Sequence, residues 1–205
     1  IVGTGTAPFA ARKTASATVT VFGTKGRLEV ASLRTTLSEQ YVQQSFPGQP
    51  QVVSYCTLLF TRISSLFHMA GLLNALEHGG VPLHPVGGFV PPLFYRQCVA
   101  ASITLIQELD IERVAAAQAM IISTPSMLDI CNSRYGTEAR NLSEFFTQLE
   151  AYSQVRAPSS AFTPRGVLHR FFGEEQKIVV TYIKLGIRVG VDTPRMANLL
   201  NNCNQ

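Results

Sequence analysis

The side chains best suited to acid–base chemistry lie in two stretches that are about 100 residues apart. The first stretch is an apolar run over residues 64–74, which carries a single imidazole, His68, and an amide, Asn74. The second stretch carries Arg170 and Glu175, at the start of a predicted helix. Imidazole exchanges protons near neutral pH, and an arginine can bind a carboxylate through two parallel hydrogen bonds. The four side chains therefore predict a site that moves a proton and holds an organic acid.

Each of these side chains also has a purely structural explanation. A histidine in a buried helix is more often a hydrogen-bonded core residue than a catalyst, and a buried amide also needs partners. Acidic residues in the first turn of a helix stabilise its dipole, which would account for Glu174 and Glu175. Arg170 alone could lie in solvent. Only a fold that brings His68 and Glu175 together favours the catalytic interpretation.

The charge of the chain argues against nucleic acid as a partner. The sequence has 17 basic and 13 acidic residues, for a net charge of +4, and the basic residues are scattered rather than gathered in a stripe. Nucleic-acid binding needs a concentrated basic surface. A mildly basic protein is better suited to small anionic substrates.

The cysteines and the apolar runs indicate in which compartment the protein is expected. The four cysteines are far apart and lack the CxxC spacing of metal or redox sites, so we expect reduced thiols in a cytoplasmic protein and no metal. We expect no apolar run of the roughly 20 residues that span a bilayer, and no signal peptide. Because the chain begins at Ile1 without an initiator Met, we also expect a fragment or a processed chain.

The pattern of the chain changes near residues 55–60. Before that point, the sequence predicts strands over 17–22 and 27–31 joined as a hairpin, a helix over 33–45 and a strand over 51–55. After it, the pattern is helical, with Asp110 as a predicted N-cap. The predicted helices cover 58–76, 93–109, 111–122, 143–152 and 174–189, and two more follow Thr124-Pro125 and Thr193-Pro194.

The opening Gly3-Thr4-Gly5 resembles the start of a dinucleotide-binding fingerprint, but the rest of that motif is missing. Its third glycine would be Pro8, and no acidic residue follows about 20 positions later. We therefore interpret these glycines as part of a strand and a loop.

Taken in order, four segments resemble the C-terminal part of the opine dehydrogenases. By these motifs, the branch that makes staphylopine-type metallophores is at least as similar as the octopine/nopaline dehydrogenases. The segments are residues 6–12 with 22–25, 66–74 (like HPxxxLLN), 169–175 (like RYxxED) and 190–194 (like GVxTP). The chain departs from the family pattern at two positions. Met69 stands where the family has a proline, and Glu175 stands where it has an aspartate, whose side chain is shorter.

The resemblance implies an α+β fold with two parts. Residues 1–56 would be the short, β-rich end of a Rossmann-type nucleotide-binding domain, and residues 57–205 a mostly helical domain for substrate binding and dimerisation. NADH or NADPH would be bound mainly by a domain absent from this chain, by residues that the sequence does not identify. The fragment alone is therefore expected to be inactive.

The same resemblance implies a reaction and its residues. Opine dehydrogenases condense an α-keto acid with an amino group to an imine, which NAD(P)H then reduces. By this comparison, His68 is the general acid/base and Glu175 its acidic partner, while Arg170 and Asn74 bind the substrate. The expected partners are a small α-keto acid, an amino-acid-like amine and a second copy of the chain, in the cytoplasm and without a membrane.

Two alternatives remain open from the sequence. The chain could be a non-catalytic helical dimerisation or interaction domain, with the helix over 93–109 as its surface. It could also be the helical domain of another NAD(P)-dependent 2-keto or hydroxy-acid reductase. Enzymes of that kind usually place a lysine in the pocket, and residues 58–76 contain none.

Overall fold

The computed structural model describes residues 2–15, 17–33, 36–77, 92–155 and 173–203. The chain divides into two compact units, Ile1–Arg62 with Ile122–Tyr152, and Ile63–Ile121 with Ser153–Gln205. Strands lie in the first unit and helices dominate the second, which confirms the predicted α+β class. The roles predicted for residues 1–56 and 57–205 stay predictions, because compactness alone assigns no function to either part.

The first unit is built on a small mixed sheet. Strand β4 is central, antiparallel to β1 and parallel to β5. A parallel pair needs a crossover, and helix α1 supplies it by burying Val42 against Leu28 and Val30 of β4. A separate antiparallel pair is formed by β2 and β3. The bounds are β1 Val2–Thr4, β2 Phe9–Ala15, β3 Thr18–Thr24, β4 Arg27–Ser32, α1 Glu39–Ser45 and β5 Gln49–Val52.

The predicted hairpin between residues 17–22 and 27–31 is wrong. Strand β3 pairs with β2, whereas β4 pairs with β1 and β5. The backbone N–H groups of Lys25 and Gly26 donate to the carbonyls of Pro8 and Arg134, so they do not close a turn between the two strands. The prediction that Gly3 and Gly5 belong to a strand and its loop is confirmed, since β1 ends at Thr4.

Besides a short 3-10 turn over Glu150–Tyr152, the described part of the first unit has three further α-helices: α2 (Tyr55–Phe60), α5 (Met127–Tyr135) and α6 (Leu142–Gln148). Each begins after a side chain that accepts a backbone hydrogen bond from the first turn, namely Ser54, Ser126 and Asn141. The predicted helix after Thr124-Pro125 is therefore present and starts two residues beyond the proline. The predicted helix over 33–45 begins later, because Ser38 is the N-cap of α1.

The second unit places helix α3 (Ser64–Glu77) against a π-helical turn (Phe94–Val99), α4 (Ile103–Ala119), α7 (Gln176–Val189) and α8 (Pro194–Cys203). The helix predicted over 58–76 is divided between α2 and α3 at residues 61–63. The predicted N-cap at Asp110 is also wrong. Asp110 lies inside α4, and its carboxylate accepts a hydrogen bond of 2.7 Å from Arg113 instead.

One described stretch, Tyr55–Ala75, is long and apolar enough to cross a bilayer by length and composition. This is longer than the apolar runs that we expected from the sequence. However, 67% of the 18-residue window that meets this test is buried inside the protein. A mostly buried core helix passes the same test, so the stretch is weak evidence for a membrane span.

Candidate active site

His68 lies on α3 with its ring almost wholly inside the second unit. The residue is 6% exposed. The helix that carries it is apolar on most sides, with Leu66, Met69 and Leu72 buried next to it. A buried imidazole needs partners for both ring nitrogens, because an unsatisfied polar atom costs about 1–3 kcal/mol. The partners of His68 therefore indicate what the site can do.

Glu175 is the partner at Nδ1 of His68. The Nδ1 atom lies 2.8 Å from Glu175 Oε1 and 3.0 Å from Oε2, across 107 residues of sequence. Glu175 is 7% exposed and ends a π-helical turn over 173–175 that leads into α7. The two side chains on which the catalytic interpretation depends are thus brought together.

Tyr95 is the partner at Nε2 of His68, and the sequence did not identify it. The distance from Nε2 to the phenol oxygen is 2.8 Å, and Tyr95 is 7% exposed. It lies on the π-helical turn before α4, so both partners of His68 come from π-helical turns. Such turns occur frequently at functional sites. The residue type was the only signal in the sequence, since a tyrosine in an apolar run usually indicates a core position.

A close helix contact carries the Tyr95 turn to His68. A Cβ atom on Gly71 would lie 2.6 Å from Cγ2 of Val99 and 3.3 Å from Cζ of Phe94, so a larger residue there would push the turn away. The hydroxyl of Ser102 donates to the carbonyls of Ala70 and Cys98, at 3.1 and 2.9 Å. This hydroxyl ties α3 to the turn next to the glycine.

Aromatic rings surround the imidazole and limit access of water. The ring centroids of Phe67, Phe94 and Tyr95 lie 4.7, 6.0 and 5.8 Å from that of His68. Phe94 and Tyr95 pack edge to face at 5.2 Å. The imidazole and its hydrogen-bond partners therefore lie in a largely apolar setting.

The hydrogen-bond partners favour one tautomer of the neutral imidazole. An ionised carboxylate only accepts hydrogen bonds, so Glu175 requires a proton on Nδ1 of His68. The lone pair of Nε2 then accepts from the hydroxyl of Tyr95. In this tautomer the only ring lone pair of His68 is on Nε2, the one nitrogen that can take a second proton. The arrangement is that of a general base held by an acidic residue.

The other predicted site residues stand differently. Arg170 lies outside the described residues. Asn74 is half-buried on α3, about 120° around the helix axis from His68, as six steps of an ideal α-helix require. Thr193 is buried at the start of α8, where the GVxTP-like segment predicted a helix to begin.

Comparison with known proteins gives one family match. Residues 51–205 match the family described as NAD/NADP octopine/nopaline dehydrogenase, alpha-helical domain. The chain is 28% identical to "Protein ocs" of Agrobacterium vitis, over 98% of the chain and 54% of that protein. It is also 28% identical to vitopine synthase of Allorhizobium ampelinum, over 98% of the chain and 53% of that protein. The chain thus spans about half the length of these curated relatives.

Solved structures of octopine dehydrogenase have a similar fold. In the complex with NADH and L-arginine, the match has a TM-score of 0.73 at 19% identity, over 97% of this chain and 54% of that one. In the complex with NADH and pyruvate, the TM-score is 0.67 at 20% identity, over 97% and 53%. At this level of identity the likeness concerns the fold alone.

Proposed function

The chain belongs to the octopine/nopaline dehydrogenase family through its alpha-helical domain, and on that premise we propose that it is the substrate-handling part of an NAD(P)H-dependent opine dehydrogenase. The reaction would be the reductive condensation of an α-keto acid with the amino group of an amino acid. The observation that carries the proposal is the buried contact between His68 and Glu175. A carboxylate at Nδ1 of a buried imidazole is an arrangement that orients a general base for proton transfer at Nε2.

In this proposal His68 is the general acid/base. Its Nε2 takes protons from the nitrogen of the adding amine and returns them to the carbonyl oxygen, which leaves as water when the imine forms. Glu175 keeps the proton on Nδ1 and stabilises the imidazolium. Arg170 would bind the carboxylate of a substrate through its planar guanidinium, and Asn74 would add a hydrogen bond. The apolar rings of Phe67 and Phe94 keep water from the reacting atoms.

The nicotinamide cofactor would supply the hydride that reduces the imine. The sequence holds no complete glycine fingerprint, and the glycines at its start belong to β1 and the loop after it. The cofactor would therefore be bound mainly outside this chain, and the contribution of the chain to catalysis is to bind substrate and transfer protons.

The substrates are proposed by class. Octopine dehydrogenase has been solved with L-arginine and with pyruvate, so a small α-keto acid and a basic amino acid are the first pair to test. The metallophore-type branch would instead use an amine that carries additional metal-binding groups. A homodimer in the cytoplasm is part of the same proposal, and light scattering and cell fractionation test it.

The non-catalytic alternative loses its proposed surface. The helix over 93–109 was to supply an exposed apolar face. However, Phe94, Val99 and Ile106 are buried within their own unit. That segment therefore offers little apolar surface to a partner chain.

The test is a turnover assay on the complete natural protein that carries this chain. Oxidation of NADH and of NADPH is measured with a panel of α-keto acids, each in combination with a panel of amino acids. We expect His68→Gln to lower kcat by at least about 100-fold with the preferred pair, the low end for general acid–base catalysis. Glu175→Gln should lower kcat by a similar factor.

The matched control is Glu112→Gln, which changes another buried carboxylate of the same unit away from His68. At 25 °C this variant should retain the kcat of the unchanged protein. The proposal is wrong if no pair of substrates supports turnover, or if His68→Gln turns over as fast as the control.

A further inference from the structure

We propose that Tyr95 is a positioning residue of this site, whose hydroxyl holds Nε2 of His68 in the geometry from which the proton is transferred. The inference rests on the proposed function and deepens it, because it adds a third side chain to the pair of His68 and Glu175. The geometry that carries it is the 2.8 Å contact between Nε2 and the phenol oxygen.

The hydroxyl of Tyr95 suits both protonation states of His68. With the neutral ring, the hydroxyl donates to the lone pair of Nε2. For Nε2 to gain a proton, the hydroxyl first turns its own proton away and frees the lone pair, and the same oxygen then accepts from the new N–H. The ring therefore need not move between the two states. Glu175 lies at Nδ1, so the hydrogen bond at Nε2 is the contribution of Tyr95.

The position of Tyr95 is fixed by the backbone of the π-helical turn that carries it. The N–H of Phe94 donates to the carbonyl of Val155 at 2.7 Å, which fixes the start of the π-helical turn. Gly71 lets this turn approach α3, and the Ser102 hydroxyl ties the turn to the carbonyl of Ala70. The turn that carries Tyr95 is consequently held against α3 within one compact unit.

The kinetic test is Tyr95→Phe in the complete natural protein, which removes only the hydroxyl. We expect kcat to fall about 10-fold, the equivalent of one hydrogen bond, while KM for both substrates stays within about twofold. Tyr152→Phe is the control, because it also removes one phenol hydroxyl, which makes a part-buried contact of 2.9 Å with the hydroxyl of Tyr135 in the other unit. The control should retain kcat. An unchanged kcat in Tyr95→Phe, or a change in KM alone, would overturn the proposal.

A spectroscopic test needs no turnover. Long-range ¹H–¹⁵N spectra of the chain, with histidine labelled and His68 assigned through His68→Gln, report which ring nitrogen carries the proton. In the unchanged protein we expect the Nδ1–H tautomer with a hydrogen-bonded Nε2, and in Tyr95→Phe a shift of the Nε2 signal. An Nε2–H tautomer in the unchanged protein would contradict the proposal, and this result does not depend on whether a variant folds. An Nε2 signal that is the same in Tyr95→Phe would also contradict it.

The two experiments separate the inference from the proposed function. If the complete protein turns over no substrate pair, the proposed function fails, and with it the catalytic meaning of Tyr95, although the spectra still establish the contact. If turnover is found and depends on His68 but not on Tyr95, the proposed function stands and the inference alone fails.

Discussion

His68 and Glu175 are not the only ionisable side chains that are buried. In the first unit, Glu29 accepts a hydrogen bond of 2.9 Å from Arg134, whose guanidinium also donates to the carbonyl of Thr61 at 2.8 Å. A Cβ atom on Gly5 would lie 2.9 Å from the Glu29 carboxylate, so the glycine makes room for the pair. Lys25 is buried next to them and hydrogen-bonds the hydroxyl of Thr6. Arg27, which is less buried, also lies 3.8 Å from the Glu29 carboxylate, so one acidic and three basic side chains share the cluster.

Lys25 should make the stability of the protein depend on pH. Burial, and then the charge of Arg134, lower the pKa of Lys25 from 10.5 to about 8. Between these values the unfolded chain binds more protons, so the free energy of unfolding rises with pH. From pH 7.5 to 9.5 we expect the contribution of Lys25 to rise by about 2 kcal/mol. The measurement is urea unfolding of the unchanged protein and of Lys25→Met at both pH values.

The difference between the two proteins isolates the lysine. Burial raises the pKa of Cys203 to about 11, which acts in the opposite direction at high pH but equally in both proteins. Lys184→Met, at an exposed position, is the control and should follow the unchanged protein. A free-energy difference that is the same at pH 7.5 and 9.5 would show that Lys25 is not buried as a cation.

Only part of the candidate site could be predicted from residue types. His68 and Glu175 stand out because a charged or titratable group in an apolar run needs a reason, and the motif order supplied one. Tyr95 did not stand out, because tyrosine is common in protein cores and the histidine that its hydroxyl contacts lies 27 residues away in the sequence. The burial of Lys25 was equally invisible, because a lysine beside a glycine usually indicates an exposed turn.

At the level of elements, helix starts were predictable where the signal is local. The proline at the start of α8 and the segment before α5 were identified, because caps and first-turn prolines act within a few residues. Pairing of strands was not, since β4 finds β1 and β5 through contacts that are distant in sequence. Asp110 failed as a cap because α4 runs through it, stabilised by packing of its buried residues.

The start of α8 shows how a tertiary contact replaces a local cap. The two carboxylate oxygens of Glu112, on α4, accept from the backbone N–H groups of Arg195 and Met196 at 2.7 and 2.9 Å. Thr193 packs so closely that a Cβ atom on Gly186 would lie 3.0 Å from its methyl group. The GVxTP-like segment therefore has a structural role in this chain, because it leads into α8 at the point where the Glu112 carboxylate of α4 caps that helix.

Removing this cap should destabilise the second unit. We expect Glu112→Ala to lower the free energy of unfolding by about 3 kcal/mol, since two charge-assisted hydrogen bonds are lost and two N–H groups are left unpaired. Glu108→Ala is the matched control, because Glu108 lies on the same helix and pairs with Arg195 at 3.1 Å on the surface. It should cost less than about 1 kcal/mol. Equal losses in the two variants, measured by urea unfolding, would refute the buried cap.

At the level of the whole molecule, the chain passes between its two units at residues 62–63, 121–122 and 152–153. Helices α5 and α6 therefore belong to the unit that holds the strands, although they lie within the region that matches the family's helical domain. The sequence pattern changes once, near residue 57. It cannot show that the chain comes back to the first unit at residue 122, because a helix has the same local pattern whichever unit it packs in. The division of roles between the parts of the chain thus depends on tertiary contacts.

The second of these passages is strained. Ile121, which follows α4, has φ +59 and is 96% exposed, and a β-branched residue in this left-handed region is a true outlier. Asparagine adopts the same backbone more readily, and no burial is lost with the isoleucine side chain. We expect Ile121→Asn to raise the free energy of unfolding by about 1 kcal/mol, or Tm by about 3 °C. Ile121→Val keeps the β-branch and should change neither, so a gain in both variants would trace the effect to exposed apolar surface instead of strain.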